Sequence, residues 1–392
     1  MDNFIYFSPT KIIFGRGAED AAAKEVKAFG GKRVLLHYGG GSAEKSGLLN
    51  KLRAGLNNEG LFFTELGGVV PNPRLSLAKD AVRLCRENDI DFILAVGGGS
   101  AIDSAKAASV GFYDDNFWDF YDARRAPEKA LPIGVVLTLA AAGSESSSSS
   151  VITNEDGWLK RGLTSDLIRP KFSCLNPEYT FSLNAYTTAC GVVDIMMHTM
   201  DRYFSPTKET DFIDRLSEGL LSAVIRAGAA AVGDPQNYAA RAELMWAGSM
   251  SHNGLMGTGK VVDFAPHHIE HELSGKYDVA HGAGLAAVWG HWARFVYKTN
   301  AMKFAQFAVR VWNVPMDFED PEKTAVAGID RTVAFFKSIG MPTNLKELGV
   351  SPSAADIREM AEKAIFFGRR KLGGFKILDF DEIVRIYTAT NA

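Results

Sequence analysis

Cysteine is scarce in this chain of 392 residues, which contains only Cys85, Cys174 and Cys190. Three cysteines without a CxxC spacing cannot build a disulfide framework, so we expect reduced, packed thiols and a cytoplasmic location. The sequence also lacks a run of about 18 uninterrupted apolar residues and the basic and apolar segments of a secretory signal. We therefore expect no membrane association.

Charge of one sign is not in excess either, because 43 Lys and Arg residues stand against 46 Asp and Glu residues, for a net charge of -3. No Lys/Arg-rich run is present that could follow a phosphate backbone, so we expect no nucleic-acid partner. The residue types that do stand out are glycine, with 38 residues, and histidine, because six of the eight histidines lie between positions 198 and 281.

Short β-branched runs alternate with helical patterns in the first part of the chain. The pattern predicts strands at residues 33–38, 61–66, 91–96 and 132–138, an edge strand at 11–14, and helices at 42–56, 75–86 and 100–106. Such alternation is typical of a parallel sheet with helices on both faces. From about Ala185 helical periodicity takes over, for example at 212–232 and 238–252. We expect an α/β Rossmann-like dinucleotide-binding domain at 1–184, a helical domain at 185–392, and a cleft between them.

Two glycine triplets follow predicted strands. One is Gly39, Gly40 and Gly41 before Ser42, and the other is Gly97, Gly98 and Gly99 before Ser100. Glycines at a strand-to-helix turn let backbone N–H groups approach a phosphate at the helix N-terminus, where we expect Ser100 to be the cap. The alternative is a plain tight turn. Neither a G-x-G-x-x-G fingerprint nor a P-loop is present, so the spacing predicts a bound nucleotide without identifying it.

A second constellation combines one carboxylate with several imidazoles. Asp194 and His198 are one helical turn apart, as are His267 and His271, and His281 follows. Nitrogen and oxygen ligands of this kind suit a divalent transition metal such as Fe²⁺, Zn²⁺, Mn²⁺ or Ni²⁺. An HExxH motif is missing, which argues against a zincin protease. The alternative for any single histidine is a hydrogen-bonded structural role.

Taken together, these motifs resemble the iron-dependent, group III alcohol dehydrogenases, most closely their butanol-dehydrogenase-like branch. The resemblance covers almost the whole chain and rests on residues 7–15, 38–42, 71–73, 97–106, 143–145, 194–198, 240–247, 267–271 and 281–282. It implies an architecture of the dehydroquinate synthase type, with the nucleotide bound by the α/β domain and the metal by the all-α domain. The family often has a threonine before Gly-Ser-Glu, where this chain has Ala142.

The resemblance also implies roles for individual residues. The metal ligands would be Asp194, His198, His267 and His281, and His271 would belong to a proton relay. The residues expected to hold the nucleotide are Gly39, Gly40, Gly41, Ser42, Asn72, Gly98, Gly99, Ser100, Asp103, Thr138 and Lys160. Asp103 is expected near the nicotinamide, and the serine run 146–150 is expected to be a polar loop.

We therefore expect an NAD(P)-linked dehydrogenase that interconverts primary aliphatic alcohols and aldehydes, with Fe²⁺, or alternatively Zn²⁺, as a Lewis acid on the substrate oxygen. NADP(H) is favoured over NAD(H) because no carboxylate follows the first strand at residues 38–42. An apolar substrate pocket is expected around Met197, Trp246, Leu255 and Phe264, and a homodimer through residues 12–14. The alternatives are a glycerol-dehydrogenase-like or dehydroquinate-synthase-like enzyme, a metal-dependent hydrolase, and a regulatory protein with an inert site.

Overall fold

A computed structural model describes residues 1–391 and divides by its internal contacts into two compact units. The sheet unit comprises Phe7–Leu183 and Pro235–Asn253. The helical unit comprises Met1–Tyr6, Asn184–Asp234 and Gly254–Ala392. These units differ from the predicted domains, 1–184 and 185–392, at residues 1–6 and 184, which lie in the helical unit, and at 235–253, which lies in the sheet unit. The second difference arises because Met245 packs into the core of the sheet unit.

The elements are numbered in chain order. The strands are β1 Lys11–Phe14, β2 Arg33–Gly39, β3 Phe62–Val69, β4 Phe92–Gly97, β5 Ile133–Leu137, β6 Ser149–Asn154, β7 Leu159–Thr164 and β8 Phe172–Leu175. The first nine helices are α1 Ala22–Ala28, α2 Ser42–Lys45, α3 Leu48–Asn58, α4 Leu75–Glu87, α5 Gly99–Gly111, α6 Trp118–Tyr121, α7 Ala185–Tyr203, α8 Asp211–Gly233 and α9 Tyr238–His252. The others are α10 Ala265–Tyr277, α11 His281–Val296, α12 Ala301–Trp312, α13 Pro321–Ser338, α14 Leu345–Leu348, α15 Ala354–Ala364 and α16 Phe380–Thr390.

Six strands form a sheet in the order β1-β8-β5-β4-β2-β3, and every neighbouring pair is parallel. Alternate residues of each strand enter different cores, as the two-residue period of a strand requires. Leu35 and Ile93 pack with α4 and α5, whereas Leu36 and Leu94 pack with α1 and α3. The sheet is therefore covered on both faces, which confirms the predicted Rossmann-like class.

Two local predictions in the sheet unit need correction. The single helix expected at 42–56 is two helices, α2 and α3, because Gly47 at φ 76° interrupts it. The serine run, expected to be a polar loop, is a loop only as far as Ser148, because Ser149 and Ser150 begin the antiparallel hairpin β6–β7, and Ser146 and Ser147 are buried. The sequence did carry a signal for this hairpin, because the β-branched residues Val151, Ile152 and Thr153 are followed by Asp156-Gly157, a dipeptide typical of hairpin turns.

The helical unit contains α7, α8 and α10–α16, and its observed helices confirm the predicted helical character of the second half. By length and composition alone, α8 could also cross a membrane. One side of α8, however, carries the buried carboxylates Asp214 and Glu218. Asp214 is paired with Lys260 and Lys303, which fits a helix packed inside the unit.

Candidate functional site

Helix α7 supplies the first two candidate ligands. Its N-terminus is capped by the Asn184 side chain, which accepts a hydrogen bond from the Thr187 N–H, and its apolar positions are buried. Asp194 and His198 are therefore carried into the interior one turn apart. The Nε2 atom of His198 lies 3.3 Å from Oδ1 of Asp194.

Two further imidazoles come from α10 and α11. His267 is in the first turn of α10, and His281 is the first residue of α11. Their Nε2 atoms lie 3.7 Å and 3.8 Å from Oδ1 of Asp194. Four ligands about 2.0–2.2 Å from a tetrahedral ion are about 3.3–3.6 Å from one another. The structure thus brings together the four side chains predicted as ligands, at separations near those of a metal site.

The chemistry of these atoms also fits a metal. Oδ1 of Asp194 and Nε2 of His267 are buried and have no hydrogen-bond partner among residues 1–391. Buried polar atoms without a partner are costly, so an ion bound between them would remove that cost. The side chain of His281 is 25% exposed, against 7% for Asp194, which leaves one side of the site open to a small molecule.

Charge close to His267 favours its protonated form while no metal is bound. Burial alone lowers the pKa of His267, but Asp201 and Asp194 outweigh burial and raise this pKa to about 9. A divalent cation can take the place of that proton between the same groups, because a metal ligand must be a neutral imidazole. The negative charges of Asp194 and Asp201 therefore favour a positive charge in the pocket, either a proton on His267 or a bound cation.

Two carboxylates that were not predicted from the sequence lie behind these imidazoles. Asp201 Oδ2 lies 2.5 Å from Nδ1 of His267, and Glu270 Oε2 contacts Nδ1 of His281. Asp201 was detectable in principle, because it follows Asp194 and His198 on the same face of a buried helix. Glu270 had no comparable signal, since only the fold brings it next to His281.

His271, the predicted proton-relay residue, lies beside the four ligands rather than among them. Its ring centre is 5.6 Å from that of His281 and 6.4 Å from that of His267. Glu270, His271 and His281 could also approach one ion. In that alternative set Glu270 would have to give up its contact with Nδ1 of His281. The set also contains neither Asp194 nor His267, whose buried atoms have no hydrogen-bond partner among the described residues.

Of the four residues expected to form an apolar pocket, two are next to the ligands in the helical unit. Met197 is buried beside His198 in α7, and the Phe264 ring lies 5.4 Å from that of His267. Trp246 belongs to the sheet unit, is 44% exposed and contacts Phe14, and Leu255 belongs to the helical unit, so the place of these two residues in the pocket stays a prediction.

Both glycine triplets lie in the sheet unit, on the side of the sheet where the parallel strands have their carboxyl ends. β2, β4 and β5 are neighbours, and the triplets follow the carboxyl ends of β2 and β4. Gly98 precedes α5, and a Cβ at Gly98 would lie 3.0 Å from the Leu139 side chain. The prediction that Ser100 caps α5 is wrong, because Gly98 occupies the cap position without a side-chain bond. The free N–H groups of this thirteen-residue helix remain available to an anion.

The other predicted nucleotide residues lie along the same unit. Thr138 directly follows β5, and its N–H donates to Gly97 O. Asn72 lies just beyond β3, and its Oδ1 accepts a hydrogen bond of 2.9 Å from Nζ of Lys160 on β7. The Thr153 N–H donates to Pro73 O, which joins the hairpin to this turn.

Asp103 is committed to structural bonds. Its carboxylate accepts from Ser144 Oγ at 2.6 Å and from the Val151 N–H at 2.9 Å. Asp103 thus holds the serine segment, and its place near the nicotinamide stays a prediction.

The residue that organises this segment, Lys106, was not singled out by sequence analysis. Its ammonium is fully buried and donates to the backbone oxygens of Ser144, Ser147 and Ser149 at 2.7–3.0 Å. Burial lowers the pKa of Lys106 to about 8, although Asp103 and Glu145 favour the charged form. The sequence signal for Lys106 was a charged side chain in a helix, α5, that consists mainly of small and apolar residues.

Comparison with known protein families finds two adjacent matches. Residues 9–177 match the model described as iron-containing alcohol dehydrogenase. Residues 188–391 match the model of the C-terminal part of the Fe-containing alcohol dehydrogenase family. Together the matched regions contain all the predicted metal and nucleotide residues.

Similar whole proteins and solved structures agree in length with this chain. A probable NADH-dependent butanol dehydrogenase 1 of Bacillus subtilis is 41% identical over 391 residues, covering 100% of both chains. The NADPH-dependent aldehyde reductase YqhD of Escherichia coli is 35% identical, covering 99% of this chain and 100% of that protein. The crystal structure of NADH-dependent butanol dehydrogenase A from Thermotoga maritima superimposes with a TM-score of 0.95 at 34% identity, covering 100% of this chain and 99% of that one.

Proposed function

The chain belongs to the iron-containing alcohol dehydrogenase family, and we propose that it interconverts primary aliphatic alcohols and aldehydes of about the size of butanol and butanal. One observation carries the proposal: three imidazole Nε2 atoms lie 3.3–3.8 Å from a single buried carboxylate oxygen of Asp194. That arrangement needs a divalent cation and leaves a side open to substrate at His281.

The metal we propose is Fe²⁺, with Zn²⁺ as the alternative, and its ligands are Asp194, His198, His267 and His281. When bound, the ion would supply Lewis-acid polarisation of the substrate oxygen. Asp194 contributes the one negative charge among the ligands, and the three imidazoles bind as neutral rings. The ring centre of His271 is 5.6 Å from that of His281. We propose that His271 relays the hydroxyl proton, which alcohol oxidation releases and aldehyde reduction takes up.

The apolar side chains at the ligands support an aliphatic substrate. Phe264 is partly exposed and its ring lies 5.4 Å from that of His267, whereas Met197 is fully buried behind the site. A hydrocarbon chain beside Phe264 gains about 0.8 kcal/mol for each CH₂ group removed from water. We therefore expect kcat/KM to rise from ethanal to butanal in aldehyde reduction.

The nucleotide proposed for this reaction is NADP(H), with NAD(H) also accepted. The carboxylates nearest the end of β2 are Glu44 and Glu65, and Arg53 binds both of them through four contacts of 2.8–2.9 Å. Neither carboxylate is therefore free to accept a ribose 2′-OH or repel a 2′-phosphate. Gly98, Gly99 and Ser100 at the start of α5 are proposed to hold the pyrophosphate.

Nucleotide preference is tested by steady-state kinetics of butanal reduction with each cofactor. We expect kcat/KM with NADPH to equal or exceed that with NADH. A value at least about tenfold higher with NADH, which is about 1.4 kcal/mol of transition-state stabilisation, would contradict the proposed preference.

The assembly proposed is a homodimer in the cytoplasm. β1 is the outermost strand of the sheet and pairs with β8 only, so its other edge can accept a strand from a second copy. The three cysteines are free thiols, which suits a reducing compartment. Light scattering of the purified protein should give twice the chain mass of 42.6 kDa.

The metal site is tested by Asp194→Ala. Losing the anionic ligand should abolish metal retention and aldehyde reduction while leaving the fold intact. Asp214→Ala is the matched control, because Asp214 is an equally buried carboxylate of the helical unit that pairs with lysines instead. Metal content is measured by mass spectrometry after anaerobic purification. Full activity of Asp194→Ala with metal still bound would overturn the site.

A further inference from the structure

Two of the proposed metal-binding imidazoles are held from behind by carboxylates. Nδ1 of His267 lies 2.5 Å from Oδ2 of Asp201, and Nδ1 of His281 contacts Oε2 of Glu270. Both carboxylate side chains are fully buried, at 0% exposure. In both rings the other nitrogen, Nε2, is the one that faces Asp194.

These contacts decide which tautomer the rings adopt. A neutral imidazole has one N–H and one lone pair, and an ionised carboxylate can only accept a hydrogen bond. The proton must therefore be on Nδ1 of His267 and of His281, where it is donated to Asp201 and Glu270. The lone pair is left on Nε2, directed toward Oδ1 of Asp194, which is the form that binds a metal.

The Glu270 carboxylate is itself held by a neighbour, and the backbone of Asp201 is tied to the segment before α10. Ser274 Oγ, one turn along α10, donates to Glu270 Oε1. Gly284 makes room for this carboxylate, since a Cβ there would lie 2.7 Å from Glu270 Oε1. The backbone oxygen of Asp201 accepts from the Asp263 N–H at 2.8 Å, which ties the end of α7 to the segment before α10. The Glu270 carboxylate therefore cannot turn away from His281 without losing the hydrogen bond from Ser274. The Asp201 carboxylate is held through Oδ2 by His267, since its Oδ1 is buried without a partner among residues 1–391.

From this geometry we infer that Asp201 and Glu270 are positioning residues that lock His267 and His281 in the metal-binding tautomer and set the affinity of the site for its divalent ion. The inference rests on the proposed metal site. With Asp194 they place three carboxylates around the ion, one in contact and two behind imidazoles, and each favours a dication over an empty site.

The test uses Asp201→Asn and Glu270→Gln, which keep the shape of the side chain and remove its charge. Their matched controls are Asp214→Asn and Glu218→Gln, which make the same chemical changes at buried carboxylates of α8 in the same helical unit. Ser274→Ala is a milder variant, because it removes the hydrogen bond to Glu270 and leaves the carboxylate.

Affinity is measured by titrating metal-stripped protein with Co²⁺ in competition with a chromophoric chelator, and the visible Co²⁺ spectrum reports the ligand geometry. We expect Asp201→Asn and Glu270→Gln to weaken Co²⁺ binding about 10–100-fold. Ser274→Ala should weaken it less, and both α8 controls should bind as the unchanged protein does. All variants are compared as folded protein of unchanged size-exclusion volume.

The outcomes separate this inference from the proposal beneath it. If Asp201→Asn, Glu270→Gln and Ser274→Ala all keep unchanged Co²⁺ affinity while Asp194→Ala loses binding, the metal site stands and the positioning role is wrong. If Asp194→Ala binds Co²⁺ as tightly as the unchanged protein, the proposed site itself fails. A new Co²⁺ spectrum in Glu270→Gln at unchanged affinity would also overturn the inference, because Glu270 would then be a direct ligand.

Discussion

The glycine that follows His281 allows the metal site to be perturbed without changing any ligand. Gly282 lies in the first turn of α11, and a Cβ at this position would be 2.1 Å from the backbone oxygen of Cys190 on α7. Cys190 is one helical turn before Asp194. The two helices that carry Asp194 and His281 therefore approach this closely only because residue 282 has no side chain.

The size of the perturbation follows from that distance. A carbon and a carbonyl oxygen normally approach no closer than about 3.3 Å. Alanine at position 282 must therefore move α11 and α7 apart by about 1 Å, whereas metal–ligand distances tolerate about 0.2 Å. We expect Gly282→Ala to weaken metal binding by about 100-fold or more, beyond the range typical of groups behind the ligands. Overpacking should also cost about 1–3 kcal/mol of unfolding free energy.

The assay compares Gly282→Ala with Gly219→Ala. Gly219 is in α8, and a Cβ there meets nothing within 4 Å. Gly219→Ala should therefore keep its metal and gain about 0.5–1 kcal/mol of stability from its better helix propensity. Metal per chain is measured by mass spectrometry and stability by thermal denaturation. Folded Gly282→Ala with unchanged metal affinity would refute the argument that this helix contact sets the ligand geometry.

Two further predictions concern the sheet unit. Burial lowers the pKa of His37 from 6.5 to about 4, so as the pH falls through this window the unfolded chain takes up a proton that the native chain excludes. The unfolding free energy should fall by up to about 3 kcal/mol across it, and urea denaturation of His37→Gln should show a flatter pH dependence. Lys106→Met leaves the backbone oxygens of the serine segment without their donor, and thermal denaturation should show a loss of about 3–5 kcal/mol. Retention of full stability by Lys106→Met would show that the buried ammonium is dispensable.

Local pattern was sufficient to predict much of the fold. The helix expected at 238–252 is α9, and the one expected at 212–232 is α8 within one residue at each end. The strand at 91–96 was equally clear, because β4 is buried on both sides and is therefore apolar at every position. The hairpin β6–β7 was missed because β6 begins inside the serine run, and only the fold pairs Ser149 with Lys106 and Ser150 with Asp103 on α5.

The candidate site divides in the same way. By itself the sequence determined which side chains α7 carries on one face, since the helical period places Asp194, His198 and Asp201 together. It also determined the turn after β4, because Gly97 has φ 151° and a Cβ at Gly98 would lie 3.0 Å from the Leu139 side chain. Tertiary structure alone decided that His267 and His281 meet Asp194, that Glu270 backs His281, and that residue 282 must be glycine. Those facts depend on how α7, α10 and α11 pack, and distances between helices are set by the shapes that interlock across them rather than by the period within each one.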